Sequence, residues 1–273
     1  MEQFDLVIEA GKGERQYWKD IFRYRELFYF LAWRDILVRY KQTVIGLAWA
    51  LIRPFVTMVV LSVVFGSFAK MPSGGVPYPL LVYAGMLPWQ FFSTALTESS
   101  ASLVGNANVI TKIYFPRLVI PTSAVVVSFI DFLISFLIYI GLMIWYKFLP
   151  PLAILFLPVF ALLSFSAAIG AGLWFAALTV KYRDFRYIVP FIVQFGIYVS
   201  HVGFSSSIVP QKYQLLYMMN PLVGIIDAFR WSLLGTISFP AQSFALSVVM
   251  VTLLLGTGIL YFRKTERGFA DII

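Results

Sequence analysis

The stretch Arg34–Pro54, RDILVRYKQTVIGLAWALIRP, decides what kind of chain this is. It opens with Arg34, Asp35, Arg39 and Lys41, charges that hydrocarbon does not solvate. At Val44 it turns into an apolar run that carries one charge, Arg53. That order describes a membrane surface followed by a membrane helix. Upstream the chain approaches the bilayer, and downstream it crosses and returns.

Composition agrees. Of 273 residues, 60% are hydrophobic and 12% charged, and the mean hydropathy is +0.84. A soluble domain of this length needs far more polar surface. The net charge of +8 does not point to nucleic acid, because the basic residues cluster beside apolar runs, as in an oriented membrane protein. The first residues, MEQFDLVIEAGKGERQ, lack an apolar core. No cleavable signal is therefore expected, and insertion is directed by the first span.

Working outward, residues 17–41 place Trp18, Ile21, Phe22, Phe28, Ala32, Ile36 and Leu37 at roughly helical spacing, interrupted by charges. This predicts an amphipathic helix lying in the interface plane. Apolar runs predict spans over about 44–69, 79–104, 118–146, 152–180, 187–203 and 243–262. A Pro- and Gly-rich turn, KMPSGGVPYP, separates the first two, and a short surface helix is expected within GNANVITKIYFPR. Residues 204–242 are too apolar for a free loop and too broken to cross. Pro210 and Pro221 suit first helical turns, Asn220 an N-cap and Gly235 a helix stop. Two short re-entrant helices, about 209–219 and 221–234, follow from this.

The expected fold is an all-α integral membrane protein with six spans, an N-terminal interfacial helix and two re-entrant helices between spans 5 and 6. Residues 1–41 form the lead-in, 42–262 the transmembrane domain and 263–273 the tail. Of the 21 Lys and Arg, sixteen fall in the termini and the two polar connections, against four in the opposite loops. The positive-inside rule then places both termini in the cytoplasm and the re-entrant pair outside.

Charges within spans are functional candidates by default. Arg53 lies nine residues into span 1 and Glu98 six residues from the inner end of span 2. At 1.5 Å per residue those depths are about 14 and about 9 Å, so an Arg53–Glu98 pair is expected. Asp131 sits near the middle of span 3, as packing glue or part of an opening step. His201, near the outer end of span 5, reads as a satisfied polar residue that titrates near neutral pH. Asp227 and Arg230, three apart, share a helix face and lock it to itself or to a neighbour. Lys112, Arg117, Lys181, Arg183 and Arg186 line the cytoplasmic face. They either grip phosphate, which the Arg fork suits, or simply obey the positive-inside rule. Trp89, Phe91 and Phe92, and Phe191, Phe195 and Tyr198 at i, i+4, i+7, are channel aromatics or packing.

There is no GxxxxGK[ST], HExxH or GxSxG, and one histidine with no cysteine cannot build a His- or Cys-rich metal site. No catalytic, cofactor or metal residue is expected in this chain.

Arg34-Asp35, Arg39-Tyr40, Val44-Ile45-Gly46, Trp49 and Pro54 resemble, at that spacing, the opening of a known permease family. It is the membrane subunit of ABC transporters that export bacterial surface polysaccharides such as O-antigen, capsule and teichoic acid. GMLPWQFF (85–92), NANVITKIYFPR (106–117), Asp131-Phe132, Tyr182-Arg183-Asp184 with Pro190-Phe191, NPLVGIIDAFRW (220–231) and ERGFAD (266–271) continue the resemblance to the end of the chain. One departure is Ser200-His201, where the family resemblance leads one to expect Ser-Pro.

The resemblance implies a homodimer in the bacterial inner membrane, bound to two copies of a separate ATPase that carries the Mg-ATP. It implies outward movement of a glycan on a polyprenyl-diphosphate carrier. It makes the N-terminal helix, the connection around Asn106–Arg117, and Lys181–Arg186 with Asp184, contacts for the ATPase or the lipid head group. Asn220, Pro221, Asp227 and Arg230 would belong to the outer gate. A drug or small-lipid exporter of the same class, an ion-driven transporter using Asp131, and an intramembrane enzyme stand as alternatives, in falling order.

Overall fold

The structure, a computed structural model, describes residues 14–41, 46–113, 115–235 and 238–269. All regular structure among them is helical. The expected start of the first span at 44, and the polar termini, lie outside the described residues.

The lead-in is two helices rather than one. α1 (Glu14–Arg23) and α2 (Arg25–Lys41) meet at Tyr24. Leu27, Phe28 and Leu31 of α2 pack inward against the cluster of Leu103, Ile110 and Phe262. Phe22, Tyr29, Phe30 and Trp33 are left exposed, the face an interfacial helix turns to lipid.

α3 (Gly46–Leu61) keeps Pro54 inside it and continues as a π-helical stretch, Ser62–Phe68. α4 (Tyr78–Gly105) is the centre of the molecule. It packs on α6 (Val119–Trp145), on α7 (Leu157–Lys181, entered through a 3₁₀ turn at Leu152–Phe156) and on α8 (Phe185–Val199). Nearly every residue from Leu80 to Phe92 is buried, as expected of a helix that is apolar on all sides. α5 (Ala107–Ile110) is the short surface helix expected between spans 2 and 3.

α9 (Gln211–Met218) and α10 (Pro221–Leu234) follow, then α11 (Ala241–Thr265). The Asn220 side chain accepts from the Leu222 N–H, and Gly235 ends α10 at φ 65°, a left-handed position open to glycine. α7 and α11 cross closely. A Cβ on Gly258 would stand 2.5 Å from the Gly170 carbonyl oxygen. Trp174 stacks on Tyr261 at 4.2 Å beside this crossing and donates to Thr257 at 3.1 Å. Small residues at such a crossing let the two backbones approach.

Among the described residues, four helical segments are long and apolar enough to cross a membrane: Leu51–Phe68, Val119–Trp145, Leu152–Lys181 and Ala241–Gly268. α4 has the length but carries Gln90, Glu98 and several hydroxyls. α8 has 15 residues and ends at Val199, short of the expected 203. It spans about 22 Å at 1.5 Å per residue, against a hydrocarbon core of about 30 Å.

Candidate functional site

Toward the C-terminal end of α4 and at the middle of α6 the polar groups converge on α2. Arg39 lies 2.9 Å from Glu98 of α4 and donates to Asp131 of α6, which also accepts from the Tyr40 hydroxyl. Arg34 pairs with Asp35 at 2.8 Å and donates to Asn106, just past α4, at 3.0 Å. The expected Arg53–Glu98 pair is therefore corrected. Arg53 is exposed, and Glu98 belongs to the lead-in helix. Depth along two helices fixed the height of both groups but not the direction each faces. Asp131 is likewise not isolated. A small cavity of about 290 Å³, lined by Asp35, Arg39 and Glu98, opens beside the cluster.

The polar connection between α4 and α6 is tied to α1 and to the end of α11, a feature that no local motif announces. Tyr17 of α1 donates to Glu266 at 2.9 Å, Arg117 donates to the Glu266 carbonyl, and Arg263 lies 4.6 Å over the Tyr17 ring. Phe269 is buried against Phe262. Burial, helped by the Glu266 carboxylate, holds the Tyr17 phenol well above its usual range. Of the other basic candidates, Lys112, Lys181, Arg183 and Arg186 are exposed, as is Asp184. They form a surface available to a partner or an anionic head group.

The aromatic candidates split. Trp89, Phe91 and Phe92 are buried inside the chain. Phe91 sits between Phe129, Phe132 and Phe165 at 5.5–6.1 Å, so these three pack the core and do not face a channel. Phe191, Phe195 and Tyr198 are 61%, 51% and 57% exposed and form an open stripe on α8, with Phe191 and Phe195 4.5 Å apart.

At the opposite end α10 clamps the segment 200–206. Arg230, buried, donates to the carbonyls of Leu81 (3.3 Å), Phe204 (2.6 Å), His201 (3.1 Å) and Val202 (2.8 Å). Asp227 accepts from Ser206 at 3.0 Å and meets His201 Nε2 at 3.0 Å. Asn220 donates to Ser200 at 3.0 Å. Asp227 and Arg230 therefore lock a neighbour, one of the two expected roles.

His201 is fully buried at φ 43°. Proline, fixed near −65°, cannot take that conformation. The departure at Ser200-His201 thus goes with a left-handed turn held by the clamp. Burial lowers the His201 pKa from its ordinary value, more than Asp227 raises it.

No group of acidic, His or Cys residues able to hold a metal occurs among the described residues. Residues 26–234 match the ABC-2 type transporter family. The chain is 27% identical to an O-antigen export system permease protein RfbA of Klebsiella pneumoniae over 88% of its length and 92% of that protein. It is 25% identical to the RfbA protein of Myxococcus xanthus over 93% of its length and 98% of that protein. It is 22% identical to the polysialic acid transport protein KpsM of Escherichia coli over 86% and 92%. With the match running from α2 through the clamp on α10, the chain belongs to the ABC-2 type transporter family.

Proposed function

We propose that this chain is the membrane permease of an ATP-driven exporter that moves a polysaccharide on a polyprenyl-diphosphate carrier outward across the inner membrane. The observation that carries the reading is near full-length similarity to proteins named for O-antigen export and polysialic acid transport. In this reading α4 and α8 complete six spans, α9 and α10 are re-entrant on the outer side, and both termini are cytoplasmic. Two copies face each other through the open stripe of α8, leaving a channel between them.

A partner ATPase supplies the power stroke, and Mg-ATP binds there. It docks on the exposed Lys181–Arg186 connection and on the lead-in. Arg39, Arg34 and Tyr40 carry the movement of α2 into α4 and α6. The Asp227–Arg230 clamp keeps the outer segment 200–206 shut until the spans part. Asp131 is held by Arg39 and Tyr40. That engagement favours a structural role for Asp131 over ion carriage, and so favours ATP over an ion gradient.

The test is a strain lacking this gene, with its lipid-linked glycans analysed by mass spectrometry and assigned to a membrane face. Finished polymer accumulating on polyprenyl diphosphate at the cytoplasmic face supports the proposal. A normal pool with intact surface polymer overturns it and leaves the drug-exporter alternative to test.

A further inference from the structure

A second feature lies away from the stripe and the clamp. Between α3 with its π-helical extension and α6 runs an open groove of about 1040 Å³. That is at the top of the range for sites that hold drug-sized ligands, about 300–1,000 Å³. Its walls include Phe55, Val59, Val63, Gly141 and Trp145. Along α3 and its extension the lining runs from Phe55 to Ser67, about 18 Å at helical rise. Half a hydrocarbon core is about 15 Å, so the groove has the length of one leaflet. The groove is walled by two of the segments able to cross a membrane, so hydrocarbon chains fill it rather than water.

The mouth carries the second observation. Lys70 stands next to lining residue Met71, and Lys147 next to lining residue Tyr146, and both lysines are exposed. The exposed ionised groups on this side, among the described residues, are Lys70, Lys147 and Lys212, all cations, while its acid Asp227 is buried. Trp145 and Tyr146 sit at the same level, where aromatic rings meet head groups. The π-helical turn holds the wall open, with Gly66 pressed on the Tyr78 ring.

We infer that this groove is a binding site for an anionic phospholipid of the leaflet on the side of Lys70 and Lys147. Its acyl chains lie between α3 and α6 and its phosphate between the two lysines. The inference needs only a membrane protein and does not rest on the exported substrate.

The test uses the full chain, delipidated in detergent, with native mass spectrometry and thermal unfolding. The probes are phosphatidylglycerol, phosphatidylcholine and a polyprenyl phosphate. Phosphatidylglycerol is expected to bind one per chain, in preference to phosphatidylcholine, and to raise the unfolding temperature. Lys70→Gln with Lys147→Gln should weaken it roughly thirty-fold, as expected for two cations near a lipid phosphate.

Gly141→Phe should abolish binding. A Cβ at Gly141, a residue of the groove's lining, meets nothing within 4 Å, so the new side chain starts into open space. Its unfolding without lipid should match the wild type, and should it fail to fold, the lysine variant decides. Equal binding of the zwitterionic lipid, indifference to both variants, or tighter capture of the polyprenyl phosphate overturns the inference. So does loss of a dimer in Gly141→Phe, which would seat a second copy in the groove.

Discussion

Arg39 of the lead-in helix stands 2.9 Å from Glu98, and the same guanidinium donates to Asp131. One side chain thus binds α2 to two helices of the bundle. Glu98 and Asp131 are about half and a quarter exposed, so solvent screens the contact to Glu98 more than the contact to Asp131. A helix lying on the membrane is otherwise held only by apolar contact and head-group attraction. With Arg39 in place, a push on α2 is a push on α4 and α6.

Arg39→Ala leaves two carboxylates facing each other without a cation. The expected loss is about 0.5–1.5 kcal/mol, since solvent reaches both carboxylates and Asp131 keeps the Tyr40 hydroxyl. Thermal unfolding of the purified chain reads it. Arg39→Lys should recover part of the stability, since one ammonium cannot serve two carboxylates as a fork does. A double-mutant cycle with Glu98→Gln should show coupling between the sites, and strict additivity would mean that the pair contributes nothing.

Long apolar runs made the helices legible. Residues 79–104 read as a span and form α4 at Tyr78–Gly105, and the cap at Asn220 and stop at Gly235 sit where side-chain chemistry puts them. Position along each helix was legible too, which is why Arg53 and Glu98 were matched. Azimuth was not, because it depends on which helices are neighbours. Trp89, Phe91 and Phe92 stayed open between channel and packing for a related reason. Lipid, channel and core all accept an aromatic ring, so periodicity alone does not separate them. The break at Tyr24 and the contacts of Tyr17 and Arg117 with Glu266 join residues far apart in the chain, with no local signal.

The two aromatic sets should behave oppositely. Phe91→Ala empties a site ringed by three phenylalanines and should cost about 3–5 kcal/mol. Phe195→Ala removes an exposed ring and should leave the chain within about 0.5 kcal/mol of wild type. Unfolding midpoints of the two variants check this, and an export assay on Phe195→Ala then reads the open stripe alone.

The clamp should weaken in acid. His201 donates through Nε2 to Asp227, and its Nδ1 has no partner. A second proton there would bury a cation beside Arg230. Because burial lowers the folded pKa below the ordinary value of about 6.5, the unfolded chain binds the proton more tightly. The contribution of neutral His201 is therefore present above about pH 6.5 and is lost as pH falls below it. Unfolding measured between pH 8 and pH 5 should show this loss, with a flatter profile in His201→Asn. Parallel profiles would place the acid sensitivity elsewhere.

The crossing of α7 and α11 should tolerate no added methyl. At Gly258 the new Cβ meets the Gly170 carbonyl oxygen at 2.5 Å, and at Gly170 it meets the Leu255 backbone nitrogen at 2.7 Å. Backbone cannot swing aside as a side chain can, so Gly258→Ala or Gly170→Ala must push the helices apart. That would also disturb the stacking of Trp174 on Tyr261. A cost of about 1–3 kcal/mol is expected from such overpacking. At Gly256, two residues away, an added Cβ meets nothing within 4 Å, so Gly256→Ala should match or exceed wild type by up to about 1 kcal/mol through helix propensity. Unfolding temperatures of the three variants decide the matter. If Gly258→Ala and Gly256→Ala behave alike, the close approach of the two backbones is not what holds α11 in place.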